Sequence, residues 1–161
     1  IVKVKGKMAH GAMPLTGINT SIRMARIILG FEAFEKAEMG RWGKDEFLGW
    51  PSVTFTVVQS PPPGEPTQLN VMPSVSVGYV DIRTIPGQVH KQIKMQLQEI
   101  LNQLAADDPD FYAQIEFIAD KPVVSMDKEE PIVMIAAGAY KDITGKDPVY
   151  NGVPGAIDGV F

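Results

Sequence analysis

At 161 residues and 45% hydrophobic content, the chain has apolar mass for one compact domain, or for one domain and the start of another. A formal net charge of −4 argues against a nucleic-acid partner, and no run approaches the roughly 20 apolar residues that span a bilayer, so no membrane partner is expected. The lack of any cysteine removes disulfides, thiolate nucleophiles and Cys-ligated zinc, which suits a reducing cytoplasm.

The chain opens inside a strand pattern at Ile1, with no basic and apolar leader, and stops at Phe161 after a glycine-rich turn, so it reads as a piece of something longer. Val2, Val4 and Met8 alternate with Lys3, Lys5 and Lys7, the period of a half-buried strand. That strand is expected from Val2 to Met8, and the His10 loop follows it within the stretch "KGKMAHGAMPLTGINTS" (residues 5–21). A helical stripe of Ile18, Ile22, Ala25 and Leu29 comes next, with Asn19 or Thr20 as its cap. Gly30 and the polar run "EKAEMGRWGKDE" break that stripe and predict a long, mobile connection.

"PSVTFTVV" is β-branched and predicts a second strand, and "QSPPPGEP" after it is too proline-dense for anything but a rigid loop. A third strand runs through "NVMPSVSVGYVDIRT", with Val75, Val77 and Tyr79 on one face and Val80 and Ile82 on the other. Pro86 and Gly87 turn into a second helix whose stripe is Val89, Ile93, Leu97, Ile100, Leu101 and Leu104. "YAQIEFIAD" gives a fourth strand. The order β-α-β-β-α-β predicts an α+β, ferredoxin-like two-layer sandwich: a four-stranded antiparallel sheet with two helices on one face. Beyond residue 122 the pattern changes. "EEPIVMIAAGAYKDITG" predicts a further helix with Pro131 in its first turn, "DPVYNG" a short strand, and "GVPGAIDGVF" a turn.

Few residues carry chemistry. His10, one of two histidines, stands alone among Gly11, Ala12 and Pro14 where the first strand ends. A lone turn histidine is most often inconsequential, yet small neighbours let a ligand approach, and an imidazole there can donate to an oxyanion. It cannot form a metal site by itself. Asn70 and Arg83 stand at the two ends of the third strand. Arg83 can grip a carboxylate in two parallel hydrogen bonds, or it can simply pair with Asp81; the two readings stand level. "GVPGAIDG" lacks the lysine and hydroxyl of a phosphate loop and reads as a tight turn. His90 reads as solvated helix surface.

Three separated segments, "GKMAHGAMPLTGINT", "NVMPSVSVGYVDIRTIPG" and "GVPGAIDGVF", together resemble the M20 family of metallopeptidases and deacylases. That family includes succinyl-diaminopimelate desuccinylase, acetylornithine deacetylase, aminoacylase and carboxypeptidase G. The resemblance implies that residues 1–121 are a lid, or dimerisation, domain. Residues 122–161 would then begin the C-terminal part of the zinc-binding catalytic domain.

The same resemblance implies two zinc or cobalt ions per active site in the full-length enzyme and none on this piece. His10 would reach into a partner subunit's active site and polarise the scissile carbonyl. Asn70 and Arg83 would contact substrate, Arg83 through its free carboxylate, and Gly155 and Ala156 would line the pocket. Ala156 and Ile157 stand where relatives commonly carry threonine or serine. The expected partners are a second copy, joined through a sheet edge, and a small N-acyl amino acid or peptide. A non-catalytic ferredoxin-like dimerisation or small-molecule-binding module is the alternative, because this fold hosts many functions.

Overall fold

The computed structural model describes residues 1–155. In chain order its elements are β1 (Val2–Lys5), β2 (Ala9–His10), α1 (Thr20–Trp42), β3 (Ser52–Gln59), β4 (Val71–Met72), β5 (Val75–Arg83), α2 (His90–Asp107), β6 (Tyr112–Ile115) and α3 (Pro131–Thr144). The four longer strands form one antiparallel sheet in the order β3-β5-β1-β6, with α1 and α2 packed on one face. This is the ferredoxin-like arrangement expected from the element order. No helix among the described residues is long and apolar enough to cross a membrane.

Alternation in β1 turns Val2 and Val4 fully inward and leaves Lys3 and Lys5 on the uncovered face. Those valines meet Met24, Ile27 and Phe31 of α1 and Ile93, Leu97 and Leu101 of α2. Each such side chain contributes about 1.5–3 kcal/mol by leaving water. Asn19 caps α1, its Oδ1 accepting from the Ser21 and Ile22 amides at 3.0 and 3.3 Å. Asp108, just past α2, accepts from Arg23 of α1 at 2.8 Å and ties the two helices at that end.

Several expectations need correction. The stripe Ile22, Ala25 and Leu29 is not the buried face of α1: Ile22 and Leu29 are 53% and 63% exposed. The helix carries two apolar stripes of the same period, and the one holding Phe31 and Phe34 faces the core. Nor does Gly30 end the helix, which runs on to Trp42. Glycine inside a helix is unfavourable by about 1 kcal/mol, but here α2 crosses: a Cβ on Gly30 would lie 2.7 Å from Ile100. The glycine is a crossing point rather than a stop.

Val89 is the residue before α2 and half exposed, not a core position. The third strand is interrupted at Pro73, which has no amide hydrogen for the ladder, so β4 splits from β5. The fourth strand stops at Ile115, and "DPVYNG" forms no strand. α3 starts at Pro131 as expected but buries none of its residues.

Candidate functional site

The split at Pro73 makes the first half of the site. Freed from the main sheet, β4 pairs with β2 in register Ala9↔Met72 and His10↔Val71. A bond from Gly11 N–H to the Asn70 carbonyl, 2.6 Å, extends the ribbon by one step. Lys7 and Ile18 exchange two backbone bonds and close the loop behind it. Gly17 allows that closure, since a Cβ there would lie 2.7 Å from the Lys7 carbonyl oxygen. Buried hydroxyls pin the ribbon to the body: Ser76 Oγ donates to Thr20 Oγ1 at 2.8 Å, and Thr20 Oγ1 donates to the Pro73 carbonyl at 3.1 Å.

His10 sits on the resulting tip, exposed and held at both ring nitrogens. Ala12 N–H donates to Nδ1 at 3.1 Å, so a neutral ring carries its proton on Nε2. Nε2 lies 2.9 Å from the Asn70 side-chain amide, whose nitrogen is placed toward the ring. Exchanging the amide's nitrogen and oxygen lets Nε2–H donate to Oδ1 and satisfies both groups. The tip thus offers one oriented N–H donor at the surface.

Arg83 lies at the opposite end of β5. Eight strand steps of about 3.3 Å separate it from Val75 at the tip end, roughly 26 Å. The structure therefore brings His10 and Asn70 together and does not bring Arg83 to them. Arg83 Nε donates to Asp81 Oδ2 at 2.8 Å, so the plain ion pair exists. It engages Nε and leaves both terminal nitrogens without a hydrogen bond among the described residues, and the side chain is half exposed. Arg83 opens on a cleft of about 790 Å³ between the end of the sheet and the chain beyond residue 115. Gly155 lines this cleft; Ala156, like Ile157, lies outside the described residues.

Two features of that cleft escaped the sequence. His90 is not solvated surface: its Nε2 lies 3.0 Å from Thr84 Oγ1, and its Nδ1 bonds Asp120, which also binds Lys94. The Lys94 bond, and then the His90 bond, hold the Asp120 carboxyl below the usual carboxylate range. His90 and Lys94 are four residues apart on one helix face, which was visible; their acid lies thirty residues downstream, which was not. The second feature is residues 45–50, which start at the end of the run "EKAEMGRWGKDE" expected to be a mobile connection. Asp45 and Gly49 exchange two backbone bonds at 2.8 and 3.2 Å, and Asp45 Oδ1 accepts from the Phe47 and Leu48 amides. This is a closed turn.

Among the described residues no group of three His, Cys, Asp or Glu side chains could hold a metal ion. The zinc or cobalt that the resemblance implies has no ligand set there.

Fold and site together define a two-layer α+β module with an exposed imidazole on one tip and a cleft at the other end. Residues 1–109 match the family described as the peptidase dimerisation domain of the M20 peptidases, and the chain belongs to that family. It is 29% identical over 140 residues to acetylornithine deacetylase of Myxococcus xanthus, covering 86% of this chain and 35% of that protein.

Aminopeptidase PepT of Bacillus cereus shares the fold with a TM-score of 0.70 at 17% identity, over 98% of this chain and 38% of its own. The Saccharomyces cerevisiae di-peptidase Dug1p has a TM-score of 0.70 at 15% identity, over 97% of this chain and 42% of its own. An M20 metallo-carboxypeptidase of Sulfolobus solfataricus has a TM-score of 0.60 at 14% identity, over 91% and 43%. The chain thus spans well under half the length of these relatives.

Proposed function

We propose that residues 1–121 are the lid of a metal-dependent amide hydrolase acting on N-acyl amino acids or small peptides, and that it works as a homodimer with composite sites. His10 and Asn70 of one copy would complete a site whose Arg83, Gly155 and Ala156 belong to the other. Residues 122–161 would begin the catalytic domain's C-terminal part. The observation that carries this reading is the roughly 26 Å between the tip and Arg83. No small substrate bridges that span within one chain.

Edge pairing removes the gap. In β3, Ser52 lies opposite Arg83 and Gln59 lies opposite Val77, so its first residue marks the cleft end and its last the tip end. Two copies of an edge strand related by a two-fold axis run antiparallel. One copy's tip end then sits beside the other's cleft end. Pairing through β3 places the two β5 strands three inter-strand spacings apart, about 14 Å; pairing through β6 makes it five spacings, about 24 Å. β3 is also the longer edge, with Val57 and Val58 more than 40% exposed, beside the uncovered Ile22 and Leu29 of α1. An exposed apolar strand edge is an unstable surface for a monomer.

In the composite site His10 Nε2–H would leave Asn70 for the oxyanion that forms at the attacked carbonyl, and Arg83 would hold the substrate's free carboxylate through its terminal nitrogens. Metal ions, if held by the rest of the intact protein, would supply an activated water; the side chains described here would bind, orient and donate one hydrogen bond. His10→Ala in the intact enzyme is expected to lower turnover about 100- to 1,000-fold with metal content and unfolding temperature unchanged. Undiminished turnover in that variant would contradict the role.

A further inference from the structure

The closed turn at residues 45–50 has no part in the reading above, yet it stands beside the group that reading assigns to the substrate carboxylate. The ladder pairs Ser52 with Arg83, so Trp50 is two residues from Arg83's neighbour across the strands. Its ring is 49% exposed and lines the same cleft as Arg83.

Several of the charged groups nearby are already engaged. Asp45 caps its own turn. Lys128 pairs with Glu46 at 3.0 Å and lies over the rings of Phe47 and Tyr150 at 4.9 and 5.6 Å. His90 and Lys94 share Asp120. Phe47, against which Gly152 packs, fixes the turn from behind. What the turn offers beside Arg83 is therefore an exposed indole, with the turn's acids engaged, Asp45 by two amides and Glu46 by Lys128.

Resting on the hydrolase reading, we infer that Trp50 is a specificity-determining residue, and that the preferred substrate carries a large apolar or aromatic side chain beside the carboxylate bound by Arg83. A second carboxylate or an ammonium at that position would lose its hydration against the indole and find no partner on this turn. An indole face gives an apolar side chain a broad contact, and such contacts discriminate by about tenfold or more.

The test uses the intact metal-loaded enzyme and compares kcat/KM for the N-acetyl and N-alanyl derivatives of phenylalanine, leucine, alanine, ornithine and glutamate. Phenylalanine and leucine derivatives are expected to exceed the ornithine and glutamate ones by about tenfold or more, and Trp50→Ala to bring the phenylalanine-to-alanine ratio close to one. Trp50→Phe is expected to retain most of the preference. A wild-type preference for the charged side chains, or an unchanged ratio in Trp50→Ala, overturns the inference while leaving the hydrolase reading standing. Failure to cleave any of these substrates contradicts the hydrolase reading, and the inference falls with it.

Discussion

The two ends of the sheet are built on different principles. At the tip, a backbone ribbon and two hydrogen bonds hold one imidazole, with buried hydroxyls beneath and no ion pair among the described residues. At the cleft end, ion pairs, cation–ring contacts and an aromatic turn crowd around Arg83. The tip carries the donor, and the cleft at the other end is lined by Arg83 but not by His10 or Asn70. Each end is intelligible as the complement of the other, provided that the other belongs to a second copy.

The difference can be broken from either side. After the loss expected at His10, the next largest effect falls on the tip's anchor. Thr20→Val removes the acceptor of the fully buried Ser76 and the donor to the partly buried Pro73 carbonyl, and is expected to destabilise the domain by about 1–3 kcal/mol in denaturant unfolding. The same variant is expected to lower kcat more than it raises KM, because it loosens the imidazole and leaves Arg83 alone. An equal change in both parameters would mean that the hydroxyls serve general stability only.

A smaller effect separates the cleft end. Asp120 has a depressed folded-state pKa through Lys94 and His90, so its contribution to stability is complete above the ordinary aspartate range and is lost as pH falls through the folded value. Between pH 5 and 8 this carboxyl adds no pH dependence. Below about pH 4 the unfolding temperature of Asp120→Asn should converge on that of the wild type. The convergence is small, since Asp120 is well exposed and its pairs are screened by water and salt. A gap between the two that stays constant down to pH 2 would contradict the assignment.

Much of this architecture was legible in the sequence because it depends on local periodicity. Lys3 and Lys5 against Val2 and Val4 gave β1 its faces, and Ile93, Leu97 and Leu101 gave α2 its buried stripe. α1 was misread because it has two apolar stripes, and only the position of α2 decides which of them is buried. Gly30 looked like a stop for the same reason: the Ile100 side chain that requires a glycine there lies seventy residues away. The tip was legible only as a loop holding His10 and a strand start at Asn70; the break at Pro73 that joins them in one ribbon depends on a pairing sixty residues apart. The Asp120 cluster and the closed turn depend on pairings between distant segments, or on one aspartate capping its own turn, and neither leaves a periodic trace. The same limit explains why Asn70 and Arg83 were read together as substrate contacts, when the length of β5 sets them at opposite ends.

The composite site is tested most directly by mixing. His10→Ala and Arg83→Ala versions of the intact enzyme, each inactive by itself, are unfolded or dissociated together, reassociated in equal amounts and assayed. If each active site takes His10 from one copy and Arg83 from the other, half of the dimers are mixed and carry one intact site, so about a quarter of wild-type activity returns. No recovery, in a preparation shown to contain mixed dimers, would place both residues in the same copy's site and contradict the account.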